Sequence, residues 1–367
     1  MFKYQLISNF DWILFWLTIV ITAIGVVAIY SSGWAGNSNS NRIYIKQIYW
    51  VIYGLTGMML MLLIDYRSME RFAYIFYVVT VAILVFVAIS GKSASGAQRW
   101  VSLGGLRFQP SEIAKIVMII TLARYFDDRK IRGLYRIRDL IVPAVIVLIP
   151  AVLIAKQPDL GTAAVLLFIF LAISLFMGIN PKSFLILSGT FLSSLPLLWH
   201  FMKDYQKKRI LTLIDPKADP LGSGYHIIQS QIAIGSGGYT GKGLLSGTQS
   251  QLNFLPEKHT DFIFAVFAEE MGFIGAVVLI ALYIILLMKG IDVIYRARDR
   301  SGALMAAGVI SMLAFHIIFN IGMTTGIFPV VGIPLPFVSY GGSSLVTNFM
   351  AIGLLLNINM RRFKEMG

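Results

Sequence analysis

The chain has 367 residues, 57% of them hydrophobic and 13% charged, with a mean hydropathy of +0.76. That balance lies outside the range of soluble globular domains, excludes a separate soluble catalytic module, and points to one polytopic membrane domain, residues 1–367. The net charge of +13 is read as basic loops beside anionic lipid rather than as nucleic-acid binding, and the absence of cysteine removes disulfides, thiol nucleophiles and cysteine metal sites.

The apolar runs predict an all-α fold of about ten transmembrane helices. They fall at 11–31, 47–64, 68–90, 110–126, 140–155, 160–178, 183–202, 261–288, 302–323 and 337–357. Each is about long enough to cross ~30 Å of hydrocarbon. The first is too long for a signal-peptide core and lacks a small-x-small cleavage site, so it is expected to remain as a signal anchor. An even count puts both termini on one side of the membrane. Basic residues choose that side, because Arg67, Arg71, Arg124, Arg129, Arg136, Arg138, Arg296, Arg298, Arg300 and Arg361 collect in alternate connections while the short loops opposite carry few. Both termini are therefore expected in the cytoplasm of a cell whose cytoplasmic membrane holds the chain.

One connection is long. Residues 203–260 join the seventh and eighth helices on the outer face, and a loop of that length is usually functional or disordered. Its apolar pieces around Ile210–Ile214 and Ile227–Ile234 suit the headgroup layer, and Gly235, Gly237, Gly238, Gly241, Gly243 and Gly247 allow sharp turns or close backbone approach. A flexible linker is the alternative reading.

Four polar sets lie on the outer face. The first joins Arg99 in GAQRW to Glu112 and Lys115 in FQPSEIAK, where Pro110 suits the first turn of a helix and sets Glu112 and Lys115 on one face. They read either as an i, i+3 pair that neutralises itself or as a cation held in a partly dry site for an anion such as a pyrophosphate. The second is Lys156 and Asp159 in KQPDLGT, where Asp159 is placed to cap the next helix. The third is FLPEKHTDFIFAVFAEEMG. There Asp261 enters a membrane helix with small Ala265 and Ala268 beneath it, His259 is a competing base, and Glu269 and Glu270 lie deeper, where at least one needs pairing or hydration. An N-cap or interfacial aspartate is the alternative for Asp261. The fourth is PLPFVSYGGSSL, read as close helix packing, with His316 and Asn320 read as interhelical contacts. No Walker loop, dinucleotide fingerprint, HExxH or nucleophile elbow is present.

Taken together and in order, GAQRW, QPSEIAK, QPDLGT, GTQSQLNFLPEKHTDFIFAVFAEEMG and PLPFVSYGGSSL resemble the SEDS family of bacterial cell-wall proteins, elongation-type members more than division-type ones. The resemblance implies a peptidoglycan glycosyltransferase that polymerises lipid II with inversion at the outer face of the cytoplasmic membrane. It implies a class B penicillin-binding protein and other elongation-complex membrane proteins as partners. It also implies that Asp261 is the catalytic residue and that Glu112 and Lys115 are functional. On that basis Asp261 is expected to deprotonate the acceptor sugar hydroxyl, with Arg99, Glu112, Lys115, Asp159 and His259 around the substrate. Charge on the leaving diphosphate would be met by Lys115 and Arg99 or by a divalent cation; no other cofactor is implied. A lipid II flippase and a non-catalytic scaffold are the competing readings of the same ten-helix pattern.

Overall fold

In a computed structural model, residues 9–363 are described apart from 35–42, 91, 95–96, 104–105, 130, 132, 217–221 and 253. Asp11 opens helix α1 (Trp12–Ser32) by accepting from the Leu14 amide. Helix α2 (Ile43–Leu63) follows, then a short α3 (Tyr66–Arg71) capped by Asp65, and α4 (Ala73–Ser90). The segment expected as one span at 68–90 is thus divided at Phe72, whose backbone leaves the helical region.

Between α4 and the next helix lies a three-stranded antiparallel sheet, β1 (Lys92–Ala94), β2 (Ala97–Leu103) and β3 (Leu106–Phe108), with Lys92 opposite Trp100 and Val101 opposite Phe108. The helical class holds, and this small sheet is an addition to it. Helix α5 (Pro110–Asp128) begins with Pro110 in its first turn, where a missing N–H costs no bond. Then come α6 (Ile137–Lys156), α7 (Leu160–Phe176) capped by Asp159, and α8 (Pro181–Phe201).

The long connection is structured where it is described. It contains α9 (Asp204–Ile214), α10 (Ser223–Ser236) and a single turn, α11 (Thr248–Gln251). Helix α10 docks on the bundle rather than floating beside it: Ser230 donates to the Thr324 carbonyl and Gln231 to that of Thr325, and the His226 ring stacks on Phe262. The remaining helices are α12 (Ile263–Arg296), α13 (Arg300–Thr325) and α14 (Gly342–Met360).

Each expected span has a counterpart helix, and α1, α2, α6, α12, α13 and α14 are long and apolar enough to cross a membrane. Helices α13 and α14 form the centre, whereas α1, α2, α4, α6 and α12 turn residues such as Trp16, Tyr49, Ile75, Ile149 and Ile284 outward, as a lipid-facing belt requires. Small residues let the centre close. A side-chain carbon on Gly54 would strike the Phe349 ring, and one on Gly353 would strike the Met58 backbone, so α2 and α14 pack at the distance only glycine allows.

Helix α12 is broken at Gly272 (φ 68°, ψ −167°), a conformation open essentially only to glycine. The amides of Phe273 and Ile274 should bond to the carbonyls of Glu269 and Glu270. Instead they donate to Gly238 and Tyr239 at 2.9 and 3.1 Å, while the Glu269 and Glu270 carbonyls accept from Lys242 and Gly243 at 3.1 and 3.0 Å. The glycine-rich stretch after α10 therefore enters the break and replaces, one for one, the bonds the helix has lost. The approach is so close that a side-chain carbon on Gly241 would lie 2.1 Å from the Glu270 carbonyl oxygen and one on Gly272 would lie 2.2 Å from the Gly241 nitrogen. Gly272→Ala is expected to destabilise the detergent-solubilised protein by at least ~1–3 kcal/mol. Gly189→Ala, where an added methyl meets nothing within 4 Å, should leave the thermal unfolding curve unchanged.

Candidate active site

A cavity of about 630 Å³ lies where α5, the N-terminus of α7, the segment ahead of α12, and α13 and α14 converge. Glu112, Asp159, Glu257, Thr260, Asp261 and His316 contribute its charged and polar wall, with Trp50, Trp100 and Tyr340 as aromatic members.

Asp261 lies two residues ahead of α12, and the helix is capped by Phe262 without any side-chain bond, so Asp261 is not its N-cap. Its position is set from outside its own helix. The Tyr340 amide donates to the His259 carbonyl (2.8 Å), the Ser339 hydroxyl to the Thr260 carbonyl (2.6 Å), and the Asn320 amide group to the Asp261 carbonyl (3.1 Å). Asn320 also donates to the Ile333 carbonyl at 2.7 Å, so one side chain joins the strand-like approach to α14 to the aspartate. Three successive carbonyls are therefore pinned by α13 and by the PLPFVSYGG stretch, which does more than pack. Gly332 lies beside the carboxylate, where a side-chain carbon would be in ordinary contact with Asp261 Oδ2 at 3.5 Å, so it is the left-handed backbone (φ 73°) that calls for glycine. Burial pushes the Asp261 carboxyl up to about 6, the neighbouring Glu257 carboxylate adds to the rise, and Arg209 opposes it. The N-terminus of α12 does not offset that desolvation.

Across the cavity, Glu112 Oε2 and Lys115 Nζ are 2.8 Å apart, both buried, with the lysine fully so. Glu112 reaches the cavity wall and Lys115 sits behind it, against His316 Nε2 at 3.1 Å. Asp159 serves in two ways. It caps α7 through the Thr162 amide and hydroxyl, and it lines the cavity while accepting from Gln109 Nε2 at 2.9 Å. The Gln109 amide is tied in turn to the Ser343 hydroxyl at 3.0 Å.

The side chain of Arg99, on β2, lies outside the described residues. His259 is half-buried and its Nδ1 is 2.7 Å from the Ser32 hydroxyl, so it ties the loop to α1 rather than contributing to the cavity wall. Burial, then the Lys258 charge, push its imidazolium down to about 4. Glu269 and Glu270 form a separate cluster: Glu269 Oε1 accepts from Lys242 Nζ (2.7 Å), the Thr248 hydroxyl (3.0 Å) and the Gln249 amide (3.1 Å), and Glu270 accepts from Ser31 (2.5 Å). They hold the glycine-rich loop in the break of α12.

Sequence reasoning passed over Glu257, whose left-handed backbone (φ 48°) presents it at the cavity, and over Gln109, Tyr340 and the two tryptophans. The i, i+4 pairing of His316 and Asn320 signalled interhelical contact but not the partners, Lys115 and the Asp261 backbone. Among the described residues, no group of three or more His, Cys, Asp or Glu side chains is arranged to hold a metal ion.

The family model of the FtsW, RodA and SpoVE cell cycle proteins matches residues 11–364. The chain is 43% identical over 338 residues to peptidoglycan glycosyltransferase MrdB of Escherichia coli K12, covering 90% of this chain and 89% of that protein. It is 33% identical to peptidoglycan glycosyltransferase RodA of Treponema pallidum, over 97% and 99% of the two chains. Among solved structures it superposes on a chain from a peptidoglycan synthase complex that coordinates polymerization and crosslinking, with a TM-score of 0.82, 33% identity and coverage of 97% and 99%. It also superposes on the rod shape determining protein RodA of Thermus thermophilus, with a TM-score of 0.73, 30% identity and coverage of 97% and 98%.

The Glu112–Lys115 pair has a testable energetic signature. Lys115→Met should cost about 3–5 kcal/mol by stranding a buried carboxylate, whereas Lys115→Met combined with Glu112→Gln should recover most of that loss in thermal unfolding. Equal destabilisation by the single and double variants would contradict the pairing.

Proposed function

The chain belongs to the FtsW/RodA/SpoVE family, and from that premise we propose how its cavity carries out the family's reaction. The protein is a multi-pass membrane peptidoglycan glycosyltransferase. Its substrate is lipid II, and the reaction takes place at the outer face of the cytoplasmic membrane during cell elongation, with both termini in the cytoplasm. The basic residues of alternate connections support that orientation.

One observation carries the mechanism. The carboxylate of Asp261, pinned by three backbone contacts, faces the same cavity as Glu112, behind which lies a buried ammonium. Extending a glycan requires a sugar hydroxyl to attack the anomeric carbon of a lipid-diphosphate sugar. Asp261 accepts the hydroxyl proton as the new C–O bond forms with inversion, and the anomeric C–O bond breaks with its electron pair leaving on the diphosphate. General base catalysis of this kind is typically worth ~10²- to 10⁴-fold. A diphosphate leaves readily as an anion, so no second carboxylic acid is required. Lys115 stabilises the developing negative charge in a site of low dielectric, and Glu112 positions Lys115. Arg99 joins it at the diphosphate, Asp159 and Gln109 contact the sugars, and His259 acts through the loop that carries Asp261. The chain works as a single domain beside a class B penicillin-binding protein and other elongation-complex membrane proteins. Its similarity to a chain from a synthase complex supports the first of these partners.

Asp261→Asn, expressed and folded as the parent protein, should make no polymer from lipid II in liposomes containing the partner. Near-normal polymerisation would remove Asp261 from the mechanism. A base must be ionised to accept a proton, so kcat/KM should fall as pH drops through about 6, the value to which burial and Glu257 raise the Asp261 carboxyl. Glu257→Gln removes a like charge, eases ionisation and should move that acidic limb to lower pH. A limb that stays in place would show that Glu257 does not act on Asp261.

A further inference from the structure

His316 is a titratable group of the cavity wall with no part in the proton transfer or in binding the sugars. It projects from α13, is 2% exposed, and lies 201 residues from the lysine it meets. Its Nδ1 is 2.7 Å from the Met312 carbonyl oxygen, which can only accept, so Nδ1 carries the proton. A neutral ring then presents a bare Nε2, and Lys115 Nζ donates to it at 3.1 Å. A doubly protonated ring would set two cations donor to donor in a buried site, which the geometry disfavours.

Lys115 Nζ forms an ion pair with Glu112 Oε2 at 2.8 Å and donates one of its three N–H groups to His316 Nε2. The two acceptors differ in what they fix. Glu112 is three residues away on the same helix, so it orients the ammonium only relative to α5. His316 comes from the facing helix, so the pair of contacts holds the charge at one place between α5 and α13. His316 also lines the cavity while Lys115 does not, so the ring stands between the ammonium and the cavity space.

We propose that His316 is the positioning residue for Lys115, a neutral imidazole whose Nε2 lone pair, together with the Glu112 carboxylate, fixes the buried ammonium against the cavity where a leaving diphosphate develops charge. This rests on the reading of the cavity as the site of glycosyl transfer. Without the ring, water enters beside the ammonium, hydrates it and lets it move, so its charge is no longer preorganised for the transition state. Ground-state binding of lipid II does not depend on that preorganisation, so the loss belongs in kcat rather than in KM.

The test is steady-state polymerisation of lipid II by the full chain in liposomes, with thermal unfolding of each variant measured in parallel. His316→Leu should lower kcat roughly 10- to 100-fold with KM little changed, while its melting temperature stays close to that of the parent. His316→Gln, whose Oε1 can accept from Lys115, should restore most of the rate. The proposal is overturned if His316→Leu turns over at the parental rate while Lys115→Met abolishes polymerisation. It is also overturned if the Leu and Gln variants lose activity alike and in proportion to a lowered melting temperature, the pattern of a purely packing role. Parental activity in Lys115→Met would instead remove the reading of the cavity itself, and the inference with it.

Discussion

Inside a bilayer each backbone N–H and C=O must find a partner within the protein, because the hydrocarbon offers none and an unpaired group costs several kcal/mol. Helix α12 breaks that rule at Gly272 and satisfies it by borrowing four bonds from the stretch between Gly238 and Gly243. Much of the structure around Asp261 follows from this exchange. The loop must reach into the bundle, so α10 must dock beside it. Lys242 is carried into reach of Glu269, and α11 is placed so that Thr248 and Gln249 also donate to Glu269 Oε1. Buried charge is thus neutralised where the chain is least regular.

The same logic separates the acidic residues by role. Glu269 and Glu112 each face a lysine within 2.8 Å, and in a low dielectric such a pair is costly to break but contributes little surplus stability. Asp261 is treated differently. Burial and a neighbouring carboxylate raise its proton affinity, with Arg209 only partly opposing them. A group destined for packing alone would be better served by a cation at hydrogen-bond distance, as Glu269 is. A raised proton affinity is what the general base role proposed for Asp261 needs.

How much of this was legible in the sequence depended on range. Apolar runs are a local signal, and they placed every helix that crosses or could cross the membrane to within several residues. Asp261, Glu112 and Asp159 were visible because polar groups at the mouths of apolar segments must be explained, and the three do line one cavity. What stayed hidden was long-range pairing. AEEMGF reads as continuous helix, since a lone glycine in a helix is tolerated, and nothing nearby shows that Gly241 will lie against Gly272. The sheet at 92–108 was read as loop because its strands are short and interrupted by glycine. His259 was misleading for a related reason: its partner, Ser32, is 227 residues away.

The break also bears on how Asp261 can be held at the end of a helix much of whose surface faces outward. The piece of α12 from Ile263 to Met271 is fastened at both ends. Ahead of it, Tyr340, Ser339 and Asn320 hold the carbonyls of His259, Thr260 and Asp261. Behind it, the loop strands hold the carbonyls of Glu269 and Glu270. A continuous helix of 34 residues would transmit any tilt of its lipid-facing half directly to the carboxylate. A discontinuous one separates the piece after Gly272 from the piece before it, which stays tied to α13 and to the approach to α14, and the general base role proposed for Asp261 needs such fixed placement.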